Sequence, residues 1–442
     1  MFRISAIAIA VVLPLLSANV AFSQVVQDCG ISACDPCEWE ANCYCTPCES
    51  LSCGSAAGYR NGSLWDKISI YGWVQAGMTI NDHGGRNLYT NAPNTPLSRQ
   101  LDALSGNSYL LMSKQQSDFS VYQTWLGVKK DLDTKHGFDW GFQMDTFFGT
   151  DGKFGQCFGD QTFDYGWGSG DYDTAIVQAF GEAGYRNLKF RAGKFATGMT
   201  HEALPAPATF FHTISYTCYN VPLTATGVTA EYQVGERLSF SGGWTAGYHN
   251  SFENRFDDAG FLGNVRLRVT DNMNLSYNIY AGRSYGLDRR TDAAVYGRDY
   301  GLASHNAHTL ICTLNLGKKW LYMIEGTFTE NNYRGGPAAG RTYCGGINQH
   351  LIYTIDKAWA VGLRGEWANN NGTIFDVPPI TGGEGCDLYS LTLCANWTPN
   401  TWFILRPELR YDWSNFNNDF YPFGYGTQSN QFSAGASFIV KF

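Results

Sequence analysis

The chain has 442 residues, 44% of them hydrophobic and only 16% charged, and a formal net charge of −8. A negative balance with no basic block or stripe excludes the electrostatic footprint of a nucleic-acid binder. The mean hydropathy is −0.24, and beyond the N-terminus no run approaches the roughly 20 apolar residues that a membrane helix needs, which excludes an α-helical membrane protein.

In chain order, the N-terminus reads as a secretory signal: Arg3 supplies the positive start, AIAIAVVLPLL the short apolar core, and Ala21, Phe22 and Ser23 a small-x-small cleavage site. The sequence divides into a signal at 1–23, a Cys-rich segment at 24–64 and a sheet-forming region at 65–442. The second part carries Cys29, Cys34, Cys37, Cys43, Cys45, Cys48 and Cys53, seven of the chain's 13 cysteines, with two CxxC pairs. Four-Cys zinc sites use such pairs, but an exported chain meets an oxidising compartment, where disulfides are the expected state. Seven is odd and leaves one thiol for a bond to an envelope neighbour. Cys29 lacks the lipobox context of a lipid anchor.

From Trp65 onward, alternating stretches of about ten residues recur, separated by tight turns and long polar loops in strict alternation. Strands are predicted near 66–80, 118–131, 138–149, 173–186, 188–196, 223–234, 237–249 and 259–270. A second set follows near 273–286, 306–317, 320–331, 344–354, 358–369, 386–397, 402–413 and 430–442. The count is about 16. The short connections are DTKHG after Leu132, Asn187, Gly235-Glu236, Asp271-Asn272, Lys318-Lys319, Asp356-Lys357 and Pro399-Asn400, all turn-type sequences.

The last strand shows the pleat best. Phe432, Ala434, Ala436, Phe438, Val440 and Phe442 share one face, and Ser433, Gly435, Ser437 and Lys441 the other. A soluble sandwich gives the same alternation, but the strand number and the tryptophans near strand ends (Trp359, Trp367, Trp397, Trp413) favour an all-β, transmembrane, antiparallel up-and-down barrel with aromatic girdles.

Three segments carry a resemblance: YGWVQAGMTIN at the first strand, DWGFQMDTFFGTDG from Asp139, and above all LKFRAGKFATGMTHEALPAPATFFHTISY from Leu188. They resemble the OmpL-like β-barrel porins of the porin-2 family, abundant in Planctomycetes, over most of the chain after Trp65. The resemblance implies an outer-membrane location in contact with lipid, and a passive pore for small hydrophilic solutes or ions. Porins of this size often form trimers.

The expected constriction is the loop 197–222, with His201, Glu202, Phe210, Phe211, His212 and Tyr216. Its prolines and aromatics can stiffen it against a wall. Two readings stand: insertion into the lumen, and a surface loop packed on its own aromatics. Arg191, Arg266, Arg268, Arg364, Arg406 and Arg410 fall on the inward register and are expected to line the pore with Glu366 and Glu408. Clustered arginines favour anions, whereas ion pairing with these carboxylates and Asp412 would neutralise them.

No nucleophile elbow, HExxH or Ca²⁺-loop motif occurs, so no catalytic residue, metal or cofactor is assigned and the chain is read as a non-enzyme. His201-Glu202 is the one site-like pair. Cys157 with Cys218 and Cys344 with Cys386 are expected to bridge adjacent loops at the outer rim, and Cys312 and Cys394 to be buried or lipid-facing thiols. Beside the pore stand two alternatives, an envelope barrel cross-linked through its N-terminal cysteines and a barrel hydrolase.

Overall fold

A period-two sequence sends alternate side chains to opposite faces of a strand, so a wall apolar on one face and polar on the other follows directly from the pattern. The computed structural model describes residues 67–84, 106–107, 110, 116–157, 163–164, 166–169, 171–248, 250–252, 259–282, 302–333, 340–371, 386–415, 421–424 and 427–442. The signal and the cysteines of 24–64 lie outside the described residues.

The strands are β1 (Ile68–Asn81), β2 (Ser120–Lys130), β3 (Phe138–Gly149), β4 (Gly168–Ser169), β5 (Tyr172–Tyr185), β6 (Leu188–Ala196), β7 (Thr224–Val234), β8 (Leu238–Thr245), β9 (Gly260–Thr270), β10 (Met273–Gly282), β11 (Leu302–Leu316), β12 (Trp320–Tyr333), β13 (Gly340–Thr354), β14 (Trp359–Asn371), β15 (Cys386–Asn400), β16 (Phe403–Ser414) and β17 (Asn430–Lys441). β4 is a two-residue strand paired only with β5, so sixteen strands form the wall, each antiparallel to its sequence neighbour. β1 pairs with β17 from Trp73↔Lys441 to Asn81↔Ser433, which closes the barrel. Phe442 continues this seam, its amide donating to the Gly72 carbonyl at 2.9 Å and its carbonyl accepting from the Gly72 amide at 3.0 Å. Closure matters because an open edge in hydrocarbon would leave a row of backbone groups unpaired.

Each strand read from the sequence has its counterpart, with ends displaced by up to four residues, and short turns alternate with long connections throughout. Two further details differ. Pro399 and Asn400 belong to the end of β15, and the turn is Thr401-Trp402. Ile439 interrupts the polar register of β17 as a fully buried inward residue.

The outward face is apolar and bare: Phe138 is 72% exposed, Ile70 68% and Phe119 65%. A soluble sandwich would bury that face, whereas a lipid-facing wall leaves it for acyl chains. Aromatic pairs gather at both rims, with Trp320 on Tyr353 (4.5 Å between ring centroids) and Trp359 on Trp397 (6.0 Å) near the short turns, and Tyr389 on Trp413 (5.4 Å) near the long loops. Trp359 and Trp367 lie about 26 Å apart along β14 at about 3.3 Å per residue, comparable to the roughly 25 Å apolar band of such barrels.

Neither expected loop disulfide fits this fold. Cys157 and Cys218 are separate buried free thiols. Cys157 sits in the connection between β3 and β4, its amide donating to Asp164 at 2.9 Å, while the loop bearing Cys218 has turned into the barrel. Cys344 and Cys386 both register with Asn370 on the strand between them, so their backbones are two strand spacings, about 9.6 Å, apart. A disulfide tolerates roughly 4.4–6.8 Å between Cα atoms. Of the two strand thiols, Cys394 is buried on the inward face and Cys312 lies on the outward register.

The β1–β17 seam is tight at Gly77, where a Cβ would stand 2.1 Å from the Ala436 carbonyl oxygen. Gly77→Val is expected to destabilise the closed barrel by about 1–3 kcal/mol, read as a lower unfolding midpoint on a heat-modifiability gel.

Candidate functional site

β6 ends at Ala196 and β7 begins at Thr224. The neck of the loop between them is pinned by the Thr197 amide donating to the Leu223 carbonyl at 3.1 Å, with the Thr197 hydroxyl on the Pro222 carbonyl. The prolines at 205, 207 and 222 forbid a ladder, and the segment contains only two short 3₁₀ turns, at Ala206–Ala208 and Thr217–Asn220. The loop turns inward and crosses the lumen to the far side. Its contacts run from Thr309 of β11, whose hydroxyl donates to the Met199 carbonyl at 2.6 Å, round to Thr79 of β1 and Gln123 of β2. Of the two readings of this loop, insertion is the one observed.

A buried segment without regular structure carries many unpaired amides and carbonyls, each costing about 1–3 kcal/mol if left unsatisfied. The far wall supplies the missing partners from four adjacent register rows, of which Glu408 and Arg406 of β16 mark the last two. One row runs Glu325, Asn348, Glu366, Ser390, Asp412, Gln431 from β12 to β17, and the next runs Met323, His350, Arg364, Thr392, Arg410, Ser433. Carboxylates take the amides. Glu408 accepts from His212 N–H at 2.7 Å and Thr213 N–H at 3.1 Å, Glu366 from Tyr216 N–H at 2.7 Å, and Glu325 from His201 N–H at 2.7 Å.

Guanidiniums take the carbonyls. Arg406 donates to Ala206 (3.0 Å), Thr209 (3.1 Å) and Phe211 (3.3 Å), Arg364 to Thr213 (2.6 Å), and Arg410 to Ile214 (3.0 Å). The same charges pair with one another. Arg364 lies 2.8 Å from Glu202 and from Glu366, and Arg410 lies 2.8 Å from Asp412, which also accepts from the Tyr216 hydroxyl. Phe211 and Tyr216 stack under Arg364 and Arg410, each 4.8 Å from ring to guanidinium carbon. Phe210 seats against Gly362, where a Cβ would stand 2.4 Å from its ring.

The expected pore lining therefore splits in two. Arg364, Arg406, Arg410, Glu366 and Glu408 hold the inward register but are buried beneath the loop, because its backbone has taken the place of water. Arg191 stays 40% exposed, paired with Glu182 at 2.9 Å and stacked on Phe180 at 4.4 Å. Arg266 is exposed, its guanidinium 4.0 Å from the position of a Cβ on Gly198, so it faces the neck of the loop. Arg268 lies lower, 3.8 Å from the exposed carboxylate of Glu236.

His201 and Glu202, read as a site-like pair, serve the same anchoring. Glu202 also accepts from Ser215 N–H at 2.6 Å, closing the loop on itself. His212 accepts from or donates to Thr79 at 3.0 Å; burial, then Arg406 and Arg364, push its imidazole down to about 3. Sequence reasoning missed Gln123, whose carboxamide holds Ala206 N–H (3.1 Å) and the Leu204 carbonyl (2.8 Å) like a strand partner, and Lys194, which is fully buried against Asp164 (3.4 Å) and the Gly155 carbonyl (3.0 Å). The only sequence signal was inward register for Gln123; Lys194 lies on the outward register of β6.

Glu408→Ala should lower barrel stability by about 3–5 kcal/mol, since it strands two loop amides and removes a buried counter-charge near Arg364 and Arg410; urea unfolding in detergent reads it. The imidazole of His212, held neutral in the fold, takes up a proton on unfolding between about pH 3 and 6.5. Its contribution is complete above pH 6.5 and falls with pH by up to about 1.4 kcal/mol per unit in that window. His212→Gln should flatten that part of the stability–pH profile.

Comparison with solved structures finds the same fold. OprB of Pseudomonas putida superposes with a TM-score of 0.53 at 13% identity, over 86% of this chain and 95% of that one. An anion-selective porin from Comamonas acidovorans gives 0.51 at 11% identity, over 85% and 99%. OmpT of Vibrio cholerae, described in a trimer form, gives 0.50 at 9% identity, also over 85% and 99%. Comparison with curated proteins finds no match. The profile of the family described as beta-barrel porin-2, OmpL-like, matches residues 67–442. That span takes in the whole closed wall and its inserted loop, so the chain belongs to the OmpL-like β-barrel porin-2 family and is an outer-membrane, porin-type channel.

Proposed function

We propose that the chain gives passive passage to small hydrophilic solutes or ions, with a mild preference for anions. The observation that carries this reading is the loop itself, held across the lumen by the buried Arg364–Glu202 ion pair and by wall carboxylates and guanidiniums bonded to its backbone, and so placed as a constriction.

The anion preference rests on fewer residues than the sequence suggested. Three arginines are neutralised under the loop, and Arg191 has Glu182 beside it. Arg268 likewise has Glu236 at 3.8 Å, so Arg266, at the neck, remains as the cationic side chain of β9 with no ion pair among the described residues. A guanidinium at a narrow, water-filled point acts at close range and little screened. One structural relative is described as anion-selective, but a likeness at 11% identity shows the fold alone. Export with removal of residues 1–23, and assembly as a homotrimer like the described form of OmpT, complete the reading.

Purified barrel in a planar bilayer under a salt gradient should give a modest anion-selective reversal potential, and Arg266→Glu should move it toward cations. A cation-selective shift in the wild type would sink the anion preference. A complete absence of channels would favour the cross-linked envelope barrel instead.

A further inference from the structure

The contact between loop and wall does not balance its charges. Five carboxylates (Glu202, Glu325, Glu366, Glu408, Asp412) meet three guanidiniums (Arg364, Arg406, Arg410), and all eight side chains are buried. Uncompensated buried charge costs several kcal/mol, so a further positive charge is called for.

The excess has a location. Glu202, Glu366 and Asp412 each lie 2.8 Å from a guanidinium, and Glu408 has Arg364 and Arg410 as cationic neighbours. Glu325 is 1% exposed and accepts the His201 amide at 2.7 Å, the Thr327 hydroxyl at 3.4 Å and the Thr217 side chain, with no ion pair to a cationic side chain among the described residues. Beside it in the register stands Asn348, also inward and 0% exposed. Neither the oxygen nor the nitrogen of its carboxamide has a hydrogen-bond partner among the described residues. A buried amide that satisfies neither end is rare in a folded protein and calls for a missing partner. Its carbonyl oxygen, the Glu325 carboxylate and the Thr327 hydroxyl are hard oxygen donors on the inward face of two adjacent strands.

We propose that Glu325, Asn348 and Thr327 hold a divalent cation of the calcium class beneath the loop. The donors are all oxygens, with no thiolate and imidazole set of the zinc kind, and calcium accepts irregular oxygen coordination completed by water, which magnesium resists. The ion supplies the missing positive charge and ties the wall to the loop through His201, whose amide already sits on Glu325. The site strengthens the constriction, and its existence does not depend on what passes through the channel.

The full chain, purified in detergent and stripped with a chelator, is titrated with calcium chloride while thermal unfolding is followed, and separately loaded with terbium as a luminescent substitute for calcium. The wild type should gain several degrees of unfolding midpoint in a saturable way, with magnesium weaker, and calcium should displace the terbium signal. Glu325→Gln, close in shape, and Asn348→Leu should lose both responses. Gln349→Leu, on the outward face of the same strand, should keep both. The proposal falls if the wild type shows neither response, or if Glu325→Gln and Asn348→Leu respond as the wild type does. It falls equally if Glu325→Gln is more stable than a calcium-indifferent wild type, which would mark Glu325 as a neutral acid. Calcium binding in a barrel that forms no channels would overturn the channel reading and leave this site standing.

Discussion

A chain that enters a barrel without forming a helix or strand must find partners for its own backbone, and this requirement organises the lumen of the molecule. Residues 197–222 carry prolines and short 3₁₀ turns instead of a ladder. Their amides and carbonyls are met by carboxylates and guanidiniums that project from β12, β14 and β16. Ionised groups suit this task because charge-assisted hydrogen bonds are about twice as strong as neutral ones, and a guanidinium can reach several carbonyls at once. Arg406 does so with three loop carbonyls.

That arrangement depends on the wall being closed and in register. Each strand is fixed against its neighbours over long ladders, so side chains at one height form rows around the barrel, and acidic and basic rows lie next to each other. A slip of one residue on any of these strands would turn its charges toward lipid, where they cost several kcal/mol each. The lipid face and the loop anchorage thus enforce the same register from opposite sides.

The outcome is an asymmetric interior. One half is filled by the loop and its dry ion pairs, while the β6–β9 side keeps exposed polar groups, among them Arg191 with Glu182, and Arg266. Charge seen in the sequence as one pool of lumen arginines is divided by the fold into structural charge and charge that a solute can meet.

Strand positions, the alternation of short turns and long loops, the outward apolar face and the inward register of all six arginines were legible in the sequence. They rest on period-two patterning and turn chemistry, which are local. Which arginines touch water was not legible, because Glu202 and Arg364, or His212 and Glu408, meet only once the loop has crossed the lumen. The disulfides expected between Cys157 and Cys218 and between Cys344 and Cys386 failed for the same reason, since sequence places cysteines in loops or strand ends but not at a depth or a spacing. The orphaned Asn348 was equally invisible. The sequence by itself determined the wall, through a repeat each strand carries alone; only the tertiary structure decided the lumen, where the contacts between loop and wall join residues far apart in the chain.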